Sequence, residues 1–295
     1  MTTLYKFQAD IKPSLFIVIC FIAQLYACCY IENEMALITI GFISIFIPGI
    51  TAAAYNHHHQ HHNIFRRPLL NRLFELILAL QTGLSSYAWV LHHNLGHHQH
   101  YQRQYSESEQ PPPKKTMDES RWTFKNGKIM NFWQYSAIGF CMAYFRVHKS
   151  GLKYKTVYAK YLICRVVYYS MIFAGLYYFG MRFVIVFIIP SLIILFFTIG
   201  ATYKHHTGLR SEDHYSASFS NVNHVYNFIT CNLGYHTAHH LRPGLHWSLL
   251  PAFHEKICDK IPSALIYDSL PKSAQLLVFL RNWRGANKQN LSEGL

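Results

Sequence analysis

Residues 14–31 form an 18-residue run whose one strongly polar side chain is Gln24, and residues 35–55 add 21 more with no charged side chain. A helix rises about 1.5 Å per residue, so each run is long enough to cross a hydrocarbon core of about 30 Å. Nothing else constrains the fold as strongly. In lipid every backbone polar group must find its partner within the chain, and only helices and closed barrels provide that. A second pair of runs occupies 161–180 and 183–200, with Arg165 and Arg182 near ends where long side chains reach the interface. The stretch 69–91 is apolar but carries Arg72 and Glu75, which predicts a helix that dips into the membrane or lies along it. The N-terminal flank shows no small-residue cleavage site and a second run follows the first closely, which argues against a cleaved signal peptide.

The connectors carry the orientation. Glu32 and Glu34 lie between the first two runs with no basic residue, whereas the long segment between the pairs holds thirteen Lys and Arg from Arg66 to Lys155. The positive-inside rule then places the termini and this central segment in the cytoplasm. A net charge of +13 suits a face resting on anionic headgroups. Nucleic acid, the competing partner for basic charge, is not expected for a bilayer-embedded chain. Residues 103–129, with Pro111, Pro112 and Pro113, read as a surface loop. The expectation is an all-α integral membrane protein in a single domain over 1–295. It has four transmembrane helices in two hairpins, at about 14–55 and 161–200, plus interfacial helices. A cytoplasmic helical cap, from segments at about 56–135 and 201–256, holds a histidine-rich dimetal site.

That site is read from twenty histidines, most of them in three short stretches. Seven cysteines include no C-x-x-C, so neither a disulfide framework nor a thiolate zinc site is indicated. The first stretch, HHHQHH, contains two H-x3-H pairs, His57 with His61 and His58 with His62, and residues four apart share a helix face. In the second, HHNLGHHQH, His93, His97 and His98 form H-x3-H-H. In the third, His236, His239 and His240 form H-x2-H-H. His205 and His206 follow the fourth apolar run. One imidazole from that pair brings the total to nine, more than one metal uses and enough for two. Imidazole suits iron, copper, nickel and zinc alike.

These boxes, spaced between two pairs of apolar runs, resemble the membrane fatty-acid desaturase and hydroxylase superfamily. HNLGHH and Thr202-Tyr203-Lys204-His205-His206 also resemble its alkane-monooxygenase branch, and NLGYHTAHHLRPGLHWSLLP is similar to bacterial fatty-acid desaturases. The resemblance covers roughly residues 51–104 and 200–256. It implies a non-haem centre of two iron ions with O2 as co-substrate. The ligands it implies are His57 and His61, then His93, His97 and His98, then His206, then His236, His239 and His240. His58 with His62 fits the first box's spacing equally. His205 competes with His206, and the register adopted is the one that keeps Tyr203 aligned with the family's tyrosine. Side chains that hydrogen-bond the outer nitrogens of the imidazoles and set their tautomers would come from Glu75, Asn94, Glu212, Asp213, Asn223 or Asn232.

The resemblance further implies a fatty-acyl lipid substrate and formation of a C=C bond. Hydroxylation of a lipid or alkane, or decarboxylation to a terminal alkene, are the alternatives on the same centre. With no G-x-G-x-x-G, no C-x2-C pairs and no His-Pro-Gly-Gly, electrons would come from a separate carrier and reductase docking on the basic face. Arg242 and Trp247 are weak candidates for a substrate carboxylate or headgroup contact. Tyr87, Trp89 and Tyr101 read as wall or interface residues, and His148, His214, His224 and His254 as ordinary polar positions. A membrane metal transporter is the distant alternative. It would place ionisable ligands near mid-bilayer, and the four apolar runs contain no His, Asp or Glu.

Overall fold

The computed structural model describes residues 4–102, 121–209, 211 and 213–270, and these are mostly helical. The predicted loop therefore lies outside the described residues over 103–120, as does Glu212. The elements used below are α1 (Ile11–Tyr30), α2 (Glu34–Ile45), α3 (Ile47–His61), α4 (Pro68–Thr82) and α5 (Ser86–His100). They continue with α6 (Phe132–Lys153), α7 (Lys155–Phe179), α8 (Met181–His206), α9 (His224–Ile229), α10 (His236–Leu241) and α11 (Leu250–Ile257). A two-residue parallel pair, β1 (Ser220–Asn221) with β2 (Ile266–Tyr267), ties the chain beyond α11 back to the segment before α9.

Three helices are long and apolar enough to cross a membrane on their own, those ending at Tyr30, Phe179 and His206. The number rises to five if the bent pairs α2–α3 and α4–α5 each count as one span. Bending is where the structure refines the sequence reading. The run at 35–55 breaks at Phe46, with a 42° bend between α2 and α3. Pro48 explains the break, because it offers no N–H to the preceding turn and its ring crowds the carbonyl there. Gly49 completes the bend: a Cβ at that position would lie 2.4 Å from Ile194 Cδ1, so only a bare backbone lets α8 approach this closely. The stretch at 69–91 turns by 74° between α4 and α5. Gly83 there adopts φ +71°, a left-handed conformation that ends α4. Helix α6, 22 residues long, was not foreseen as an element. Its Asn131–Gln134 capping box starts it cleanly.

α8 is the spine of the bundle, packing on α6, α4, α3 and α2. Pro190 within it cannot donate to the carbonyl of Val186, and the backbone over Val184–Ile188 widens into a π turn. Gln24 of α1 supplies the missing donor: its Nε2 bonds to Val186 O at 3.0 Å, and its Oε1 accepts from Gln81 Nε2 of α4 at 3.1 Å. The one polar residue of the first run thus pins three helices together. Outward, Ile19, Phe42, Ile163, Phe173 and Tyr177 are all more than half exposed. Such apolar exposure on consecutive long helices is what lipid covers. The C-terminal ends of α3 and α8 carry the first and fourth histidine segments, so the architecture delivers them to one end of the bundle.

Candidate metal centre

Nine imidazoles converge at that end in two groups. His57, His61, His93, His98 and His239 form one, and His97, His206, His236 and His240 the other. Within each group the ligand-capable nitrogens lie within 4.8 Å of one another. These are the nine positions named from the boxes, and each group draws on more than one box.

The partition follows from backbone geometry. His57 and His61 stand four apart on an ordinary α-helix and point the same way. Over Val90–His97, however, α5 is a π-helix. Its wider turn brings residues five apart into register, so His93 pairs with His98 at 3.1 Å between Nε2 atoms. His97 is thereby directed to the other group, where its Nε2 lies 3.2 Å from that of His240. In α10, His236 and His240 share a face and sit 3.1 Å apart, while His239 turns to His57 at 2.9 Å. A regular α-helix at the second box would have sent His93 and His97 to the same side.

In the first group the Nε2 atoms of His57, His93, His98 and His239 close a quadrilateral with edges of 3.1, 3.1, 3.0 and 2.9 Å. The His61 ring lies 4.7–5.3 Å from the other four rings, and its Nε2 is buried without a hydrogen-bond partner. Hydrogen bonding cannot satisfy that ring of contacts. A neutral imidazole nitrogen is either a donor or an acceptor, so at most two alternate corners carry a proton; each proton points along one edge, and at least two of the four edges hold no hydrogen bond. A cation at the centre satisfies every corner at once. A square of edge 3.0 Å places its corners about 2.1 Å from its centre, an ordinary metal–imidazole distance. The second group is an open chain, His97–His240–His236–His206, with steps of 3.2, 3.1 and 3.1 Å. Both donor sets fit a transition metal.

The surroundings keep these rings neutral and oriented. His236, His239 and His240 are held well below the ordinary imidazole pKa, first by burial and then by the neighbouring imidazoles. His206 Nδ1 donates to Ala217 O at 2.8 Å, which leaves a bare lone pair on Nε2 facing the group. The α10 segment is itself braced: Thr237 Oγ1 meets Ser218 and Ser220, and Gly234 N–H donates to Asn227 Oδ1. Cys231 and Asn232, both at positive φ, make the turn that aims α10.

The alternatives left open by spacing are separated by direction. His58 and His62 belong to neither group: the His58 ring lies beside His57, 6.3 Å from His239 and 6.5 Å from Trp247, and the His62 ring lies 5.8 Å from His246. His205 stacks on His236 at 3.9 Å rather than joining the ring of nitrogens. Tyr203 donates to Met130 O at 2.7 Å. None of the side-chain hydrogen bonds found for Glu75, Asn94, Asp213, Asn223 or Asn232 ends on one of the nine imidazoles. Glu75 accepts from Arg72 and meets His59, Asn94 donates to Gln60 O, Asp213 and Asn223 order local turns, and Asn232 donates to Trp247 O. Arg242 is exposed and lies over Phe253, and Trp247 Nε1 donates to Asp10. Trp89 packs on His57 and His93, and Tyr101 on His240 with its hydroxyl on His214 Nδ1 at 2.7 Å. His214 had carried no signal in the sequence, and Asp10 none beyond that of a helix-start residue.

A bundle of helices apolar enough to span a membrane, ending in two polyhistidine groups able to hold metal, defines the class of protein. Its family is shown directly: the chain belongs to the fatty acid desaturase family, whose sequence profile matches residues 35–270. No individual curated protein matches it. The family makes the chain an oxidoreductase of the desaturase and hydroxylase type acting in a lipid setting.

Proposed function

We propose that the two histidine groups hold one iron ion each and that the protein is an O2-dependent fatty-acyl desaturase. The observation that carries this reading is the closed quadrilateral of Nε2 atoms beside a second imidazole group, both buried where apolar helices end. An unactivated C–H bond has neither acidity nor a leaving group, and the irons, when bound, supply the oxygen chemistry that breaks it.

The chain's own residues bind, orient and exclude water. Nine neutral imidazoles and, among the described residues, no carboxylate make up the two groups, so the charge of a bound cation is left unquenched for use on oxygen. Burial keeps bulk water from the reacting region, which protects reactive species and strengthens local electrostatics. Trp89 and Tyr101, packed against one group each, serve as walls against which an alkyl chain is held so that one carbon pair, and not its neighbours, meets the centre. An acyl chain already in the bilayer reaches this end without crossing water.

Exposed Arg66, Arg67, Lys125, Lys128, Lys149 and Lys153 make the surface that the positive-inside rule assigns to the cytoplasm. A separate acidic electron carrier, reduced by its own reductase, docks there, and turnover falls as ionic strength rises. Turnover indifferent to salt would remove this docking surface from the scheme.

The deciding experiment measures metal in detergent-purified protein and fatty acids in expressing cells. About two irons per chain and a new internal double bond are the expected results. An alcohol would move the reading to hydroxylation and a terminal alkene to decarboxylation. Folded, monodisperse protein without metal would defeat it.

A further inference from the structure

The N-terminal segment contributes no imidazole, yet it ends in a fully buried carboxylate. Asp10 sits at the start of α1 where a capping residue belongs, but its side chain caps nothing. It accepts instead from Tyr55 Oη at 2.7 Å, from Trp247 Nε1 at 2.9 Å, and from His246 Nε2 at 3.1 Å on both oxygens. His246 Nδ1 accepts from Ser248 N–H at 3.3 Å, so the ring proton lies on Nε2 and points at the carboxylate. Three donors from two distant parts of the chain, Tyr55 and the adjacent His246 and Trp247, therefore share one buried anion. Such charge-assisted bonds are the strong ones, and leaving any donor without its acceptor here is costly.

The segment before Asp10 reinforces this clasp. Lys6 N–H donates to Ile64 O and Arg66 N–H to Leu4 O, a short antiparallel contact at the exit of α3. Phe7 stacks on His246 at 3.9 Å and meets His62 edge-on. Tyr55 precedes His57 by two positions, about 200° around the helix, so Asp10 grips the back of the helix whose front presents His57. Trp247 follows α10, and Asn232, in the turn before α10, donates to its carbonyl. One carboxylate thus joins α3 to the segment framing α10, the two elements that supply His57 and His239.

We propose that Asp10 is a positioning residue for the five-histidine group: it sets the separation of α3 from α10, and hence the His57–His239 edge of the quadrilateral. The four-histidine group takes His236 and His240 from α10 but no ligand from α3, so the separation of α3 from α10 is not one of its edges. This rests on the reading of two metal-holding groups.

The test is a cobalt(II) titration of the metal-free full-length protein, followed by absorbance. Wild type binds two cobalt ions. In Asp10→Asn one binding event weakens roughly 10–100-fold, the range for residues that support ligands, while the other shifts less than about twofold. Tyr55→Phe moves the same event in the same direction by less, and adding it to Asp10→Asn costs nothing further if the two act as one unit. In a His236→Ala background the surviving event responds to Asp10→Asn; in a His93→Ala background it does not. Equal weakening of both events, or no change in either, overturns the proposal. If Asp10→Asn does not yield folded protein, Tyr55→Phe and Trp247→Phe decide by the same criterion. Wild type that binds no cobalt overturns the two-metal reading itself, an outcome separate from a variant that behaves like wild type.

Discussion

The two histidine groups are neighbours built on different principles. The five-histidine group is a closed ring assembled from three distant elements, α3, α5 and α10, and held from behind by contacts between residues more than two hundred positions apart. The four-histidine group also draws on three elements, α5, α8 and α10, but it is an open chain. Its His236 and His240 share one short helix, His206 is fixed by the carbonyl of Ala217, and His205 backs His236 face to face. Closure places demands on tertiary packing, because moving any one element opens an edge. The open group has three such contacts to keep instead of four, and two of its ligands share one short helix. Loss of ligands should therefore damage both groups alike, whereas loss of packing should damage them differently.

The largest expected effect comes from removing a ligand. His93→Ala and His236→Ala each abolish detectable oxidation and each retain about one metal per chain, lost from opposite groups. If either variant kept both metals, its histidine would leave the ligand set. The register of the first box gives the next contrast. His57→Ala is expected to behave as His93→Ala does, while His58→Ala, at a position in neither group, keeps both metals and activity within about tenfold, a packing-scale loss. Equal damage from the two would overturn the division of that box.

Acid should then act on the metal-free protein. His236, His239 and His240 resist protonation in the fold, whereas the unfolded chain takes up protons near pH 6.5. The unfolded state binds more protons below that pH, so stability falls as pH falls. The thermal midpoint of metal-free protein should drop between about pH 7 and pH 5.5; a flat profile would mean that these rings are not buried as neutral bases. The smallest change is His205→Ala. Losing the stack on His236 costs about 1 kcal/mol, about a fivefold weakening confined to the four-histidine group and readable in the same cobalt titration. A larger effect on the five-histidine group would show that the groups are coupled through α10.

Much of this molecule is legible from composition and spacing alone. Apolar runs at 14–31, 161–180 and 183–200 correspond to α1, α7 and α8, because length and lack of charge decide whether a helix can lie in lipid. The run at 35–55 is equally apolar, but Pro48 and Gly49 within it signal the bend that a count of residues passes over. The nine imidazoles that converge are those that the box spacing and the family resemblance single out together. The groups that orient the imidazoles were not legible in the same way. Glu75 and Asn94 were plausible partners by chemistry, yet they bond His59, Arg72 and Gln60 instead.

By itself the sequence determined the helical membrane architecture and the supply of imidazoles, since hydrophobic length and histidine count are properties of short segments. Only the tertiary structure decided how those imidazoles divide between two groups. The division turns on a π-helical stretch at Val90–His97 that makes five, not four, the spacing that pairs His93 with His98. It also decided that Asp10, an ordinary helix-start residue by position, closes on His246 and Trp247. Backbone widening and contacts across 236 positions depend on the packing of the whole chain, and no local pattern of residues encodes them.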